Sequence, residues 1–110
     1  MIRVYIASPY TVGDTQANVA KHLECADKLM TLGYSPYAPL LCHFQHMLLP
    51  RPYEDWFGHV INWIQYCDAM IRLPGESSGA DKEVEIARLL RIPVYRSIEA
   101  LKNDTPEYPT

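Results

Sequence analysis

Residues 2–7, Ile-Arg-Val-Tyr-Ile-Ala, are rich in β-branched and aromatic side chains and predict a strand. The turn from Ser8 to Gly13 leads into a helical period from about Thr15 to Leu32, with Val19, Leu23, Ala26 and Met30 on one face, Asp14 as N-cap and Gly33 as stop. Tyr34 to Pro39 predicts a second strand weakened by Pro36, and the stretch from Leu40 to Pro52, with two prolines and no clear period, predicts a loop over a site. A second helical period from about Tyr53 to Tyr66 carries Trp56, Val60 and Trp63 on one side and ends at Asp68. The run 69–73 then predicts a strand, residues 80–90 a helix, Ile92 to Tyr95 a strand, and Ser97 to about Lys102 a last helix. Alternation of this kind predicts an α/β fold, a doubly wound parallel sheet of four to five strands with helices on both faces. One domain is expected over residues 1–103, with 104–110 as an extended tail.

The helix over 80–90 breaks its own pattern. At roughly 100° per residue, Ala80, Val84, Ala87 and Leu90 share an arc that also contains Glu83, while Asp81, Lys82, Glu85 and Arg88 take the other side. Two readings of Glu83 stand. An unpaired buried carboxylate costs on the order of several kcal/mol and is kept where it is used; alternatively, the first turn is frayed and wet, and the acid gains roughly 0.3 to 1 kcal/mol from the helix dipole.

A chain of 110 residues is long enough for one core. With 10 basic and 13 acidic residues, a formal net charge of -3 offers no basic field for a nucleic acid polymer or a membrane surface. A small-molecule partner is expected instead. The three cysteines, with no CxxC pair, fit free thiols in a reducing cytosol, and no leader-like segment or run of about 18 apolar residues stands against a cytoplasmic location.

In sheets of this kind ligands bind at the carboxyl ends of the strands, so the loops Ser8–Gly13, Leu40–Pro52 and Pro74–Gly79 should converge. Ser8 and Pro9 open the first and count as candidate substrate contacts. Ser77, Ser78 and Gly79 at a helix start offer amides, hydroxyls and a positive dipole end, although Ser78 followed by Asp81 also reads as an N-cap with its box partner. A Glu83 kept ionised by that dipole suits a nucleophile at an electrophilic carbon, of which an anomeric carbon is the familiar case. Tyr5 either orients that carboxylate or simply packs in the core. His43 and His46 lack further ligands at zinc spacing, so no metal and no cofactor are expected. Trp56, Phe57 and Trp63 read as core, with room for one of them to stack on a base.

Three pieces together resemble the nucleoside 2-deoxyribosyltransferase superfamily, including its nucleoside 5′-monophosphate N-glycosidase branch and small relatives. They are Val4-Tyr5-Ile6-Ala7-Ser8-Pro9, Trp63-Ile64-Gln65-Tyr66-Cys67-Asp68, and the S-x-G-x-x-x-E-x-x-x-A run from Ser77 to Ala87. The resemblance implies a flavodoxin-like fold, attack of Glu83 on C1′ of a nucleoside or nucleotide, contact of Tyr5 with that nucleophile, and a substrate-loop role for His43. Similar transferases carry aspartate where this chain has Ser77, and similar monophosphate hydrolases carry serine. The family's second acid falls at Val60, with His59 and Asp55 the nearest substitutes. Relatives assemble as dimers or larger, so a homo-oligomer in which the tail with Tyr108 reaches a neighbour's site is implied as well.

The leading expectation is therefore hydrolysis of the N-glycosidic bond of a nucleoside 5′-monophosphate. A binding module without turnover and a base-exchanging transferase are the rivals.

Overall fold

A computed structural model describes residues 1–107. Four strands, β1 (Arg3–Ala7), β2 (Ser35–Tyr37), β3 (Ala69–Arg72) and β4 (Val94–Tyr95), form one parallel sheet in the order β2-β1-β3-β4. This is a flavodoxin-like order, and it reverses between β1 and β3, which makes their carboxyl ends the expected ligand edge. Helices α1 (Thr15–Thr31), α2 (Cys42–Leu48), α3 (Tyr53–Ile61), α4 (Ser78–Leu89) and α5 (Ile98–Lys102) fill the connections.

Strand alternation divides the core into two layers. Val4 and Ile6 of β1 and Ile71 of β3 pack with Cys25, Ala26 and Leu29 of α1 and Leu101 of α5. Tyr5, Ala7 and Met70 point the other way, onto Ala80, Val84 and Ala87 of α4 and onto Ile64. With both faces covered, β1 and β3 are buried along nearly their whole length, as parallel strands require. Pro36 is tolerated because β2 is an edge strand, paired with β1 alone.

Several expectations need correction. The buried face of α1 is His22, Cys25, Ala26 and Leu29 with Val19, whereas Met30 is 65% exposed. The period is right and its phase is off by about a residue, because His22 reads as polar and yet turns inward. The stretch from Leu40 to Pro52 is not a loop: a 3-10 turn at Pro39–Leu41 runs into α2, and its prolines, Pro50 and Pro52, follow the helix rather than interrupt it. No residue of α2 is buried, so there is no hydrophobic period to read. The helix expected to run to Tyr66 stops at Ile61, and a separate 3-10 turn spans Ile64–Tyr66. Trp63 between them is 45% exposed and stacks on Tyr37 instead of entering the core. Leu90, assigned to the inner arc of α4, caps that helix half exposed.

After α5 the chain lies against β4. The Tyr95 hydroxyl meets Asp104 at 2.5 Å, the Glu107 amide donates to the Val94 carbonyl at 2.7 Å, and Arg96 pairs with Glu107. Tyr108 lies outside the described residues.

The loops at the ligand edge are locked to each other. Gly75 has φ +119°, open to glycine and strained for any L side chain, and a Cβ there would meet Pro9 Cγ at 2.7 Å. Arg72, buried at the end of β3, donates to the carbonyls of Leu73 and Gly75 and pairs with Asp81 of α4 at 3.1 Å. Gly75→Ala is expected to destabilise the protein by about 1–3 kcal/mol through combined strain and overlap, read as a fall of several degrees in the thermal midpoint.

Candidate active site

The three segments converge on a cavity of about 380 Å³, within the usual range for small-molecule sites. Ser8, Tyr10 and Thr11 line it from the first loop, Leu40, His43, His46 and Arg51 from the second segment, and Ser77, Ser78, Gly79 and Glu83 from the third. Tyr53, Trp56, Phe57 and Val60 of α3 close the side.

Glu83 is 7% exposed, so burial rather than fraying decides between its two readings. It sits in the second turn of α4, and its inward position puts it above Tyr5 of β1, whose hydroxyl donates a hydrogen bond to Oε2. Oε1 has no protein partner among the described residues, and the side chain lines the cavity. The Tyr5 ring is held by stacking on Tyr37, centroids 5.5 Å apart, which fixes the direction of its O–H. Burial raises the Glu83 carboxyl to about 7, against the opposing effects of the Tyr5 hydrogen bond and the Arg72 charge. The expectation that the dipole keeps Glu83 firmly ionised is corrected here: the macrodipole decays within the first turn, and desolvation outweighs it at the second. Burial and the neighbouring carboxylate push the Tyr5 phenol far up, so it stays a donor.

Ser77, not Ser78, is the N-cap. Its backbone is extended, φ -165° and ψ 111°, and its side chain accepts from the Ala80 amide at 3.1 Å, whereas Ser78 is already helical. The amides of Ser78 and Gly79 have no acceptor among the described residues, and both residues face the cavity. A Cβ on Gly79 would come within 2.9 Å of the Tyr53 hydroxyl, so glycine lets that phenol close over the helix mouth.

His43 belongs to the cavity, its Nδ1 2.6 Å from the Tyr10 hydroxyl. His46 joins it. Its Nδ1 accepts from Trp56 Nε1–H at 2.7 Å and from the Arg51 amide at 3.2 Å, which leaves the proton of the neutral ring on Nε2. Three candidates are not brought in. Pro9 lies behind the cavity against Gly75; Asp55 is exposed and paired with Arg51 at 3.2 Å; His59 is exposed on α3. Val60, one residue on, turns inward and is buried. Consecutive helical positions are about 100° apart, so the face that buries Val60 necessarily turns His59 outward. Glu83 is then the one acid among the lining residues.

Sequence reasoning missed His22, Tyr10, Arg51 and Tyr53, and placed Trp56 and Phe57 in the core rather than on the cavity wall. His22 is fully buried, and burial lowers its imidazole to about 3. No group of three or more His, Cys, Asp or Glu among the described residues is arranged to hold a metal ion.

The two buried groups shift stability in opposite directions with pH. Glu83, raised to about 7 from an unfolded value near 4.5, holds a proton that the unfolded chain has lost, so stability falls as pH rises across that interval. His22, lowered to about 3 from 6.5, does the reverse, and stability falls as pH drops from 6.5 towards 3. Glu83→Gln is expected to gain on the order of 2–3 kcal/mol over wild type at pH 8 and little at pH 4.5, measured by urea denaturation at both values. An equal gain at the two would contradict the burial account.

Among solved structures the chain is similar to the 2-deoxyribosyltransferase of the psychrotolerant bacterium Bacillus psychrosaccharolyticus, with a TM-score of 0.57 and 19% identity. The match covers 97% of this chain and 92% of that one, a likeness of fold across both. No curated protein matches the sequence. The family model described as "Domain of unknown function (DUF7768)" matches residues 2–97, and the chain belongs to that family.

Proposed function

We propose that the protein cleaves the N-glycosidic bond of a nucleoside 5′-monophosphate with Glu83 as nucleophile. The observation that carries the proposal is the buried Tyr5–Glu83 pair, with one carboxylate oxygen held by the phenol and the other left for the cavity. In the first step Oε1 attacks C1′, the C1′–N bond breaks, and the base leaves with the bonding pair and takes up a proton. Water then attacks C1′ of the glycosyl ester and frees Glu83. The Tyr5 hydrogen bond keeps the carboxylate from rotating and stabilises its charge before attack.

The helix mouth supports a phosphate as the second recognition element. The Ser77 hydroxyl and the open amides of Ser78 and Gly79 offer donors to an anion, Arg51 adds a guanidinium that is paired with Asp55, and Glu83 is the one acid lining the cavity. A fold shared with a protein described as a 2-deoxyribosyltransferase supports nucleosides as the wider substrate class and keeps base exchange as a second outcome. The absence of an acid at Val60 favours a third, a nucleotide-binding module in which the leaving base finds no proton donor.

Incubation with ribo- and deoxynucleoside 5′-monophosphates is expected to release free base, and Glu83→Ala to lower the rate by about 10³-fold or more. Base release by Glu83→Ala at the wild-type rate would remove the nucleophile from the account. The rate should rise with pH through an apparent pKa near 7 as Glu83 ionises. Capture of the glycosyl group by a labelled base faster than by water would identify a transferase, and calorimetric binding without base release a binding module. Ser77→Asp is expected to weaken monophosphate binding by about 10-fold or more while sparing the nucleoside.

A further inference from the structure

The first turn of the sheet edge holds a hydroxyl whose direction is decided by a residue the reaction does not touch. His22, fully buried in the middle of α1, has both ring nitrogens engaged: Nδ1 lies 2.7 Å from Ser8 Oγ, and Nε2 lies 3.3 Å from the backbone nitrogen of Leu40. A backbone amide can only donate, so Nε2 must present its lone pair. The single proton of a neutral imidazole then sits on Nδ1 and is donated to Ser8 Oγ. With its oxygen accepting from His22, the Ser8 hydroxyl keeps its own hydrogen, and no acceptor for it exists among the described residues. Ser8 is 8% exposed and lines the cavity.

We infer that His22 is a positioning residue that fixes Ser8 as an obligatory hydrogen-bond donor to an acceptor oxygen of the bound ligand, a phosphate or a sugar oxygen. The opposite arrangement, with Ser8 donating to Nδ1, would move the imidazole proton to Nε2 and set two N–H groups against each other at Leu40. A doubly protonated ring fails for the same reason, and its burial disfavours the charge as well. The Leu40 amide thus sets the polarity of a chain that runs Leu40, His22, Ser8, ligand, and the chain ties the second strand's exit to the first loop. A hydroxyl held this way discriminates: it rewards an oxygen acceptor, and a ligand group that can only donate leaves it unpaired.

The identity of the ligand rests on the proposed function; the direction of the hydrogen bonds does not. Nitrogen-15 NMR of the imidazole in the wild-type protein is expected to show a protonated, pyrrole-type Nδ1 and a pyridine-type Nε2, unchanged from about pH 5 to 8, where a free histidine titrates. An Nε2–H tautomer, or titration in that range, would overturn the inference and leave the glycosidase reading standing. Calorimetry with ribose 5-phosphate and with ribose supplies the second readout. Ser8→Ala and His22→Leu should each weaken ribose 5-phosphate by about 10-fold, the value of one hydrogen bond, and the double variant should be no weaker than either alone. His22→Asn should recover binding, because its amide N–H stands where Nδ1–H stood. A loss confined to ribose 5-phosphate places the acceptor on the phosphate, and an equal loss with ribose places it on the sugar. Unchanged binding in Ser8→Ala and His22→Leu would overturn the inference alone, while failure of the wild type to bind either ligand, with the Nδ1–H tautomer confirmed, would overturn the ligand assignment together with the proposed function.

Discussion

The hydrogen bond from Tyr5 to Glu83 is where the sheet, the helix and the cavity meet. A carboxylate taken out of water loses several kcal/mol of hydration that one phenol restores only in part, so the group remains uncomfortable, with a proton affinity raised to about 7. That discomfort depends on the architecture around it. Strand alternation sends Tyr5 to the α4 side while Val4 and Ile6 go to the α1 side, and the parallel register sets Tyr5 beside Met70 beneath α4. Shifting β1 by one residue would turn Tyr5 towards α1 and leave Glu83 buried with no donor. The Tyr5–Tyr37 stack adds a sideways constraint, so the phenol has little freedom to swing away when the carboxylate changes charge.

Around this pair the cavity has a consistent polarity. Three histidines, His22, His43 and His46, and Arg51 share its wall with a helix mouth whose amides are open, and Glu83 is the one acid among the lining residues. An anionic ligand is therefore attracted at one end while a weakly basic carboxylate faces it at the other. A second carboxylate at Val60 would weaken that attraction. The geometry of α3 leaves no easy substitute: Asp55 is bound to Arg51 on the outside, and His59 points away because Val60 points in. In the proposed reaction, any help for a leaving base from α3 is missing, and in the second segment His46 already accepts at Nδ1 from Trp56 and from the Arg51 amide.

Much of the fold could be read from the chain because its central elements obey strong periodicities. The β1 and β3 runs are almost wholly apolar, and α4 shows a clear inner arc, so sheet, order of elements and the position of Glu83 were all legible. What could not be read follows from missing signals. Helix α2 buries no residue and has no period; the interruption at Asn62 and Trp63 sits inside an otherwise continuous helical pattern. His22 scores as polar in any pattern, and only its two partners, 14 and 18 residues away, make its burial affordable. Such partners belong to the tertiary fold and leave no local trace. The cap illustrates a finer limit: two adjacent serines satisfy the same rule, and only the backbone shows that Ser77 is extended and Ser78 helical.

The two buried titratable groups of the cavity also bound the conditions under which it works. In the proposed reaction Glu83 attacks only when ionised, which favours pH above about 7. His22 holds Ser8 in place only when neutral, a state that its burial secures down to about pH 3 in the folded chain. The upper group therefore sets the working limit and the lower one merely withstands it. That asymmetry has a physical source: Glu83 lies on the cavity wall with one oxygen open, where a ligand alters its hydration, while His22 has both nitrogens tied within the protein. A bound phosphate would add negative charge to the same cavity and raise Glu83 further, unless Arg51 and the open amides of the helix mouth compensate it. On the proposed reading, the open amides of the helix mouth would serve the nucleophile as well as the anion: by offsetting a phosphate's charge, they would keep the carboxylate ionised.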